Sequence, residues 1–224
     1  MKLDRRAANP RPVPPANAAG PAGDDRCEWV LASSSPRRRA LLRRLGHPFR
    51  VIAPDIDETP RRGERPTAFV RRAAMEKALA VAARLPPLRR GRRRIVMGCD
   101  TIVVLGQRIL GKPRDALEAR QMLRALSGRT HVVLSGLYVR MESARERPRQ
   151  RRRVVKTVVQ FRDLSPDEIE RYVATGEPMD KAGAYAIQGR AAAMVRAIRG
   201  SWTNVVGLPL AELVDLLEQL QGRE

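Results

Sequence analysis

The sequence predicts a mixed α/β domain, and two observations support that prediction. Segments with strand-like and helix-like patterns alternate along the chain, and no segment repeats another. Residues 95–105 are nearly all apolar apart from a short interruption around Asp100, a pattern typical of a central strand buried on both faces. With 224 residues, 43% of them hydrophobic and 30% charged, the chain is long enough to bury a substantial core.

The first 26 residues differ from the rest of the chain. They contain five prolines and no apolar periodicity, which predicts a disordered tail at 1–26 and a folded domain over 27–224. No apolar run approaches the roughly 18–20 residues needed to cross a bilayer. No secretory signal pattern is present either. We therefore expect a cytoplasmic protein without a membrane partner.

Hydrophobic spacing and helix-end signals predict the first four elements. A strand over 28–32 leads into a serine-rich turn, and a helix over 36–45 ends at Gly46. A second strand covers 49–53. Apolar residues at helical spacing then predict a helix over 67–84.

The remaining elements continue the alternation. Two arginine-rich segments, 85–94 and 142–153, are predicted to be loops, and a Ser-Pro-Asp-Glu capping box at 165–168 starts a helix. The other predicted elements are, in order, strand 95–105, helix 115–126, strands 130–135 and 137–141, strand 154–161, strand 192–198 and helix 209–220.

The formal net charge of +20 favours polyanionic partners. Five of the 44 basic residues are lysines and the other 39 are arginines, a bias that codon composition explains as well as selection does. Aromatic residues make up only 4% of the chain, too few for the stacking platforms of single-strand binders. Nucleic acid is therefore not expected as the main partner, whereas a small phosphate-bearing substrate accounts for part of the charge.

The first candidate site is the run Ser-Ser-Ser-Pro-Arg-Arg-Arg at 33–39. Ser35 suits the N-cap of a helix and Pro36 its first position. The arginines then fall in the first helical turn, where the helix dipole disfavours cations unless an anion shares the site. Backbone N–H groups and guanidinium groups together bind phosphate well. The alternative is that three consecutive arginines occur by chance in so arginine-rich a chain.

Asp100 is the second candidate, a single carboxylate between two apolar runs. Burying it without a partner would be costly, so we expect it to face a cleft and to bind a metal or orient a water molecule. A carboxylate that caps a turn or pairs with an arginine is the structural alternative.

Three further charged segments have both a functional and a structural interpretation. Lys112, which follows a predicted hairpin, can reach a phosphate as a point charge. Asp57 and Glu58 offer the hard oxygen ligands that magnesium prefers, although such an acidic loop is usually solvated. Glu76 and Lys77 lie on a predicted helix, where a solvated face is the more frequent outcome.

Six motifs stand in order between Trp29 and the C-terminal helix. They read LASSSPRR at 31–38, GCDTIVV at 98–104, GKPRD at 111–115, LSGRTH at 126–131, DKAGAYAIQG at 180–189 and GSWTNVVGLPL at 200–210. In these motifs the chain resembles the Maf family of nucleoside triphosphate pyrophosphatases. The resemblance implies a mixed α/β fold with an elongated, strongly bent sheet flanked by helices around a deep cleft. It also implies hydrolysis of the α–β phosphoanhydride of nucleotides with a divalent cation, Mg²⁺ or Mn²⁺.

The resemblance also implies roles for particular residues. Asp100 matches the family's active-site acid, which accepts a proton from the attacking water, and with Glu58 it would hold the metal. The residues that match phosphate-binding positions are Ser33, Arg37, Arg38, Lys77 and Lys112.

The base preference rests on three positions. Arg37, Thr101 and Gln188 match the residues that separate the family's dTTP/UTP branch from the branch that prefers 7-methyl-GTP, and all three resemble the dTTP/UTP branch. The amide of Gln188 offers a donor and an acceptor, the complement of O4 and N3–H of a pyrimidine. The resemblance therefore implies a dTTP and UTP pyrophosphatase, with modified pyrimidine nucleotides as further substrates.

The chain departs from the family pattern near Gln188. Ala186 stands where relatives often have glycine, and the segment after Gln188 contains Arg-Ala-Ala-Ala rather than a glycine-rich run. The alternative function is a basic nucleic-acid-binding regulator, favoured by the net charge of +20 and by the link to septum formation that the resemblance implies. A homodimer is a further expectation.

Overall fold

The structure is a computed structural model that describes residues 26–222. The predicted disordered tail therefore lies outside the described residues, except for Arg26. The strands in the described range are β1 (Cys27–Ala32), β2 (Arg50–Ile52), β3 (Arg93–Leu105), β4 (Arg108–Leu110), β5 (Thr130–Ser143), β6 (Arg149–Phe161) and β7 (Val195–Arg199). The α-helices are α1 (Pro36–Arg43), α2 (Pro66–Ala83), α3 (Ala116–Leu126), α4 (Pro166–Val173), α5 (Trp202–Val206) and α6 (Leu210–Gln221).

Within residues 26–222, the seven strands form one mixed sheet. Its order is β2-β1-β3-β5-β6-β7, and β4 pairs with β3 off this path. β1 runs parallel to β2 and β3, whereas the other pairs are antiparallel. Because helices flank this sheet, the predicted α/β class is confirmed.

One edge of β3 is shared by two strands that leave a gap between them. β1 pairs with residues 93–98 of β3, and β4 pairs with residues 103–105. β5 occupies the opposite edge of β3 along nearly its whole length. Residues 99–102, which include Asp100, therefore have no strand beside them on the β1 side among the described residues. The chain leaves β1 here and enters the turn that starts α1.

Helix α2 packs closely on one face of the sheet because two glycines face it. A Cβ at Gly98 would overlap the carbonyl oxygen of Ala74, and a Cβ at Gly136 would overlap that of Val70. Gly136 lies opposite Asp100 in the register of β3 and β5. The two glycines therefore let α2 approach the sheet beside Asp100.

The main hydrophobic core lies against the opposite face. Successive side chains of a strand point to opposite faces, so the odd-numbered residues of β3, including Ile95 and Met97, contribute to this core. Helices α1, α3, α4 and α6 bury apolar side chains in the same cluster, for example Leu42 in α1 and Leu123 in α3.

Local signals place the helix starts as predicted. The Ser35 hydroxyl accepts a hydrogen bond from the backbone N of Arg38, and Ser165 accepts one from Glu168. Asp115 caps α3 in the same way. Such caps satisfy N–H groups that otherwise lack a partner in the first helical turn.

The predicted loop at 142–153 is wrong. β5 continues to Ser143 and β6 begins at Arg149, so only 144–148 connect them. The arginines of this segment carry no apolar alternation, and they form a strand because their backbones pair with β5, as in the pair of Arg151 with Val139.

Other element boundaries in the structure also differ from the predicted ones. The two predicted strands at 130–135 and 137–141 are one strand, β5, and the predicted loop at 85–94 ends where β3 begins at Arg93. The predicted strand at 192–198 begins later, at Val195, after a short 3₁₀ helix. The hairpin predicted before Lys112 is confirmed, because β4 pairs with the end of β3, but the sequence patterns missed α5. None of the helices described over 26–222 is long and apolar enough to cross a membrane.

Candidate active site

A cleft of about 580 Å³ opens at the gap in the sheet. All nine residues predicted for the site line it: Ser33, Arg37, Arg38, Glu58, Lys77, Asp100, Thr101, Lys112 and Gln188. The cleft reaches both faces of the sheet, because Asp100 contacts α2 whereas its neighbour Thr101 contacts Arg38 of α1.

Serines stabilise the turn between β1 and α1. Ser33 is buried, and its hydroxyl oxygen accepts a hydrogen bond from the backbone N of Ser35 at 3.1 Å. Ser35 is the N-cap of α1, and Pro36 follows it. The N-terminus of α1 and its N–H groups therefore lie at the wall of the cleft, where an anion is favoured.

Arg38 connects this turn to two other segments. Its Nε donates to the carbonyl oxygen of Gly207 at 2.8 Å, and its two Nη groups lie 3.4 Å from the hydroxyl of Ser33 and 3.3 Å from that of Thr101. Thr101 in turn lies 2.7 Å from the hydroxyl of Ser135. These bonds use three of the five N–H donors of a guanidinium group and hold it in place.

Asp100 and Lys77 form a buried ion pair. The Lys77 ammonium donates to Asp100 Oδ1 at 2.6 Å and to Glu58 Oε2 at 2.8 Å. Lys77 is 3% exposed and Asp100 is 6% exposed, whereas Glu58 lies in the solvent-facing loop. A carboxylate in such a place is costly without a cation beside it, so Lys77 compensates the charge of Asp100. The alternatives of a turn cap or an arginine partner are wrong.

Helix α2 turns Lys77 and its neighbour Glu76 in different directions. Lys77 points into the cleft, so the solvated-face interpretation is wrong for this residue. Glu76 binds Arg72 one helical turn earlier, at 2.8 Å. Glu64 also binds Arg72, and this hydrogen bond lowers the pKa of Glu64 to about 2.

An ion pair crosses the mouth of the cleft. Arg37 Nη1 lies 3.1 Å from Asp180 Oδ2, which joins the start of α1 to the segment before Gln188. Lys181 also contacts the Asp180 carboxylate. Partial burial alone would raise the pKa of Asp180, but the hydrogen bonds from Lys181 and Arg37 outweigh it and lower this pKa.

Lys112 and Gln188 are exposed residues that line the cleft. Neither side chain hydrogen-bonds another residue of the described range. Their polar groups are therefore available to a ligand.

Asp100 and Glu58 are the carboxylates that can hold a divalent cation. Both contact the Lys77 ammonium and so lie side by side. Residues 26–222 contain no group of three His, Cys, Asp or Glu side chains suited to a metal ion. Mg²⁺ is usually held by one or two carboxylates together with substrate phosphates. The pair therefore fits a cation that shares its ligands with a substrate.

The sequence patterns gave no role to His131, which lies behind the cleft. Its Nε2 lies 2.9 Å from the hydroxyl of Tyr185, and both rings contact Phe161 edge to face. Burial lowers the pKa of His131 to about 4, so it is neutral at pH 7. Asp180, Lys181 and Gly207 were also missed as individual residues, although the motifs at 180–189 and 200–210 contain them.

Together, the fold and the cleft define a protein that can bind a phosphorylated ligand beside a buried carboxylate. The family model for Maf-like proteins matches residues 28–220. The chain belongs to this family.

Curated relatives are similar over nearly their whole length. The dTTP/UTP pyrophosphatase of Pelotomaculum thermopropionicum is 51% identical, with 86% of this chain and 96% of that protein covered. That of Myxococcus xanthus is 51% identical, covering 87% and 93%, and that of Sphingopyxis alaskensis is 52% identical, covering 85% and 95%. Among solved structures, a nucleoside-triphosphatase / dITP/XTP pyrophosphatase from Mycobacterium abscessus matches 66% of this chain and 95% of its own. Its TM-score is 0.32 and its sequence identity is 15%.

Proposed function

We propose that this chain is a nucleoside triphosphate pyrophosphatase that converts dTTP and UTP to the monophosphate and pyrophosphate. One observation supports the proposal: Asp100, paired with Lys77, lines the same cleft as the serine- and arginine-rich turn between β1 and α1. The names of relatives about half identical to this chain support the same activity.

In the proposed reaction, a water oxygen attacks the α-phosphorus of the substrate. The bond from this phosphorus to the oxygen that bridges to the β-phosphorus breaks, and pyrophosphate leaves with that oxygen and the bonding electrons. Asp100 accepts a proton from the attacking water as general base. Lys77 holds the Asp100 carboxylate in position through the bond at 2.6 Å.

Five residues would bind the phosphates. Arg38 keeps two N–H donors beyond its bonds to the protein, and Lys77 keeps one of its three. The other three are Ser33, Arg37 and Lys112. The donors of these side chains then surround the phosphates, and their positive charge stabilises the charge that develops in the transition state.

Asp100 and Glu58 would hold Mg²⁺ or Mn²⁺ together with the substrate phosphates. Such a cation, when bound, neutralises charge on the phosphate oxygens. Lys77 offsets the mutual repulsion of the two carboxylates, which keeps both of them at the cleft.

The nucleotide base would be recognised by the side chain of Gln188. Its amide presents a donor and an acceptor, which suits O4 and N3–H of uracil or thymine. Thr101 and Arg37 lie toward the phosphate-binding turn, and their contribution to base preference would be through the placement of the nucleotide.

A nucleotide panel tests the activity. The purified full chain is assayed for pyrophosphate and monophosphate release from dTTP, UTP, CTP and GTP, with Mg²⁺, with Mn²⁺ and with a chelator. We expect pyrophosphate from dTTP and UTP with a divalent cation and none with the chelator. Release of orthophosphate in place of pyrophosphate, or no release from any nucleotide, would overturn the proposal.

The variant Gln188→Glu tests base reading. A carboxylate facing O4 of a pyrimidine places two acceptors together, so kcat/KM for UTP is expected to fall by about 10- to 100-fold. The loss for GTP is expected to be smaller, because its N1–H and N2 amine suit an acceptor. If the ratio of kcat/KM for UTP to that for GTP is unchanged, Gln188 does not recognise the base and the proposed pyrimidine preference loses its support.

A further inference from the structure

The Gln188 side chain depends on its backbone for its position. It makes no hydrogen bond to another residue described in the structure and is exposed in the cleft. The backbone N of Gly189 donates to the carbonyl oxygen of Ala186 at 3.0 Å, so Gln188 lies in a tight turn. Whatever holds this turn therefore also fixes the backbone position from which the Gln188 side chain extends.

The segment before this turn has a strained backbone. Ala184 has φ of +59°, and it is the one non-glycine residue with a positive φ among residues 26–222. A left-handed conformation is unfavourable for alanine and persists only where surrounding contacts hold it. Contacts around the turn therefore hold Ala184 in this conformation.

Tyr172 and Glu177 supply those contacts from outside the cleft. The backbone N of Ala186 donates to the Tyr172 hydroxyl at 3.2 Å, and this hydroxyl donates to Glu177 Oε1 at 2.9 Å. The other oxygen of Glu177 accepts a hydrogen bond from the backbone N of Arg190 at 3.1 Å. The two bonded amides therefore lie two residues before and two residues after Gln188.

The packing around the turn agrees with this arrangement. Tyr172 is buried on α4, and burial raises the pKa of its hydroxyl, which stays protonated and can donate to Glu177. A Cβ at Gly189 would overlap the Glu177 carboxylate, so a larger residue there would displace this group. Neither Tyr172 nor Glu177 lines the cleft.

We propose that Tyr172 and Glu177 are positioning residues that set the base preference by holding both ends of the Gln188 turn. This inference rests on the proposed function, in which Gln188 reads the base. The two residues act on substrate choice without touching the substrate. Their loss should therefore change the discrimination between bases more than the rate of phosphoanhydride hydrolysis.

The first test compares two substrates on Tyr172→Phe, which removes the hydroxyl and keeps the ring. The ratio of kcat/KM for UTP to that for GTP is expected to fall by about three- to tenfold, chiefly through a higher KM for UTP. Tyr138→Phe is the matched control, because the buried Tyr138 hydroxyl bonds Gln150 away from the turn. Its ratio should match that of the wild type. Equal losses for UTP and GTP in Tyr172→Phe would overturn the inference.

Glu177→Gln provides a second variant should Tyr172→Phe fail to fold. It keeps the shape of the side chain but replaces one of two acceptor oxygens with a donor. The same direction of change in the UTP to GTP ratio is expected. A ratio equal to that of the wild type in folded Glu177→Gln would contradict the inference.

A double-mutant cycle separates this inference from the proposed function. In a Gln188→Ala background, Tyr172→Phe should no longer alter the UTP to GTP ratio, because its effect passes through Gln188. If Gln188→Ala changes the ratio and Tyr172→Phe does not, the positioning role alone is wrong. If Gln188→Ala leaves the ratio unchanged, the base assignment itself is wrong and the positioning role fails with it.

Discussion

Two clefts of nearly equal volume lie at different places on the same sheet. The candidate active site measures about 580 Å³, and a second cleft, at the end of the sheet where β3 begins, measures about 570 Å³. Arg93 in the second cleft precedes Asp100 by seven residues of extended strand, or about 23 Å. The second cleft contains six arginines: Arg26, Arg92, Arg93, Arg145, Arg147 and Arg149.

The two clefts are built in opposite ways. In the active-site cleft, Ser33, Lys77 and Asp100 are buried. They are bonded within a network of side chains from separate elements. In the second cleft the arginines are exposed, and they lie in loops and at strand ends. Burying charged groups is costly, so a protein that keeps them buried beside a cleft has a use for them. Volume alone therefore does not mark a functional site here.

The largest expected effect comes from Asp100→Asn. The change keeps the shape of the side chain but removes the proposed general base and a metal ligand, so turnover is expected to fall by at least about 100-fold. Steady-state kinetics with UTP measures it. The control is Glu142→Gln in the second cleft, which should retain wild-type turnover. Turnover near the wild-type value in Asp100→Asn would show that Asp100 is not the general base.

Acid should destabilise the wall behind the active-site cleft. Because burial lowers the pKa of His131 from 6.5 to about 4, the unfolded chain binds a proton here at a higher pH than the folded protein does. This contribution to stability is complete above about pH 6.5 and is lost as the pH falls toward 4, by up to roughly 3 kcal/mol. The free energy of unfolding is measured from pH 7 to 4 for the wild type and His131→Gln. The variant should show the shallower decline, and parallel curves would contradict the prediction.

Gly98→Ala tests whether the approach of α2 builds the active-site cleft. The new Cβ would overlap the carbonyl oxygen of Ala74, so α2 must move and take Lys77 with it. A displacement near 1 Å in a catalytic arrangement is enough to lower turnover by about tenfold or more. Turnover of UTP and the melting temperature are measured for the wild type and for Gly98→Ala. Wild-type turnover in the variant would show that α2 tolerates the change.

The smallest effect is expected in the second cleft. Substituting both Arg145 and Arg147 with serine should change kcat/KM for UTP by less than about twofold, because exposed side chains away from the site contribute little. Arg37→Ser is the matched change in the active-site cleft, and there KM for UTP should rise by about tenfold as a charged phosphate contact is lost. Equal effects in the two clefts would show that the second cleft also serves catalysis.

The sequence predicted the helix starts better than it predicted the strands of the sheet. The helix starts at Ser35 and Ser165 were readable because a cap depends on residues within one helical turn. The strand made by Arg149 and its neighbours was not readable, because its backbone pairs with β5 and its side chains follow no apolar pattern. Pairing between strands depends on distant residues, so it overrides local propensity.

By itself, the sequence determined which residues carry charge and chemistry, where the helices begin, and that Asp100 interrupts an apolar strand. The tertiary structure decided that β1 and β4 leave a gap beside Asp100, and that Gly98 lets α2 bring Lys77 to it. It also decided that Tyr172 reaches the turn of Gln188. The physical reason is the sequence distance over which each feature is formed. Helix caps and the alternation of apolar and polar residues involve a few neighbouring residues, whereas a cleft forms from contacts between segments far apart in the chain.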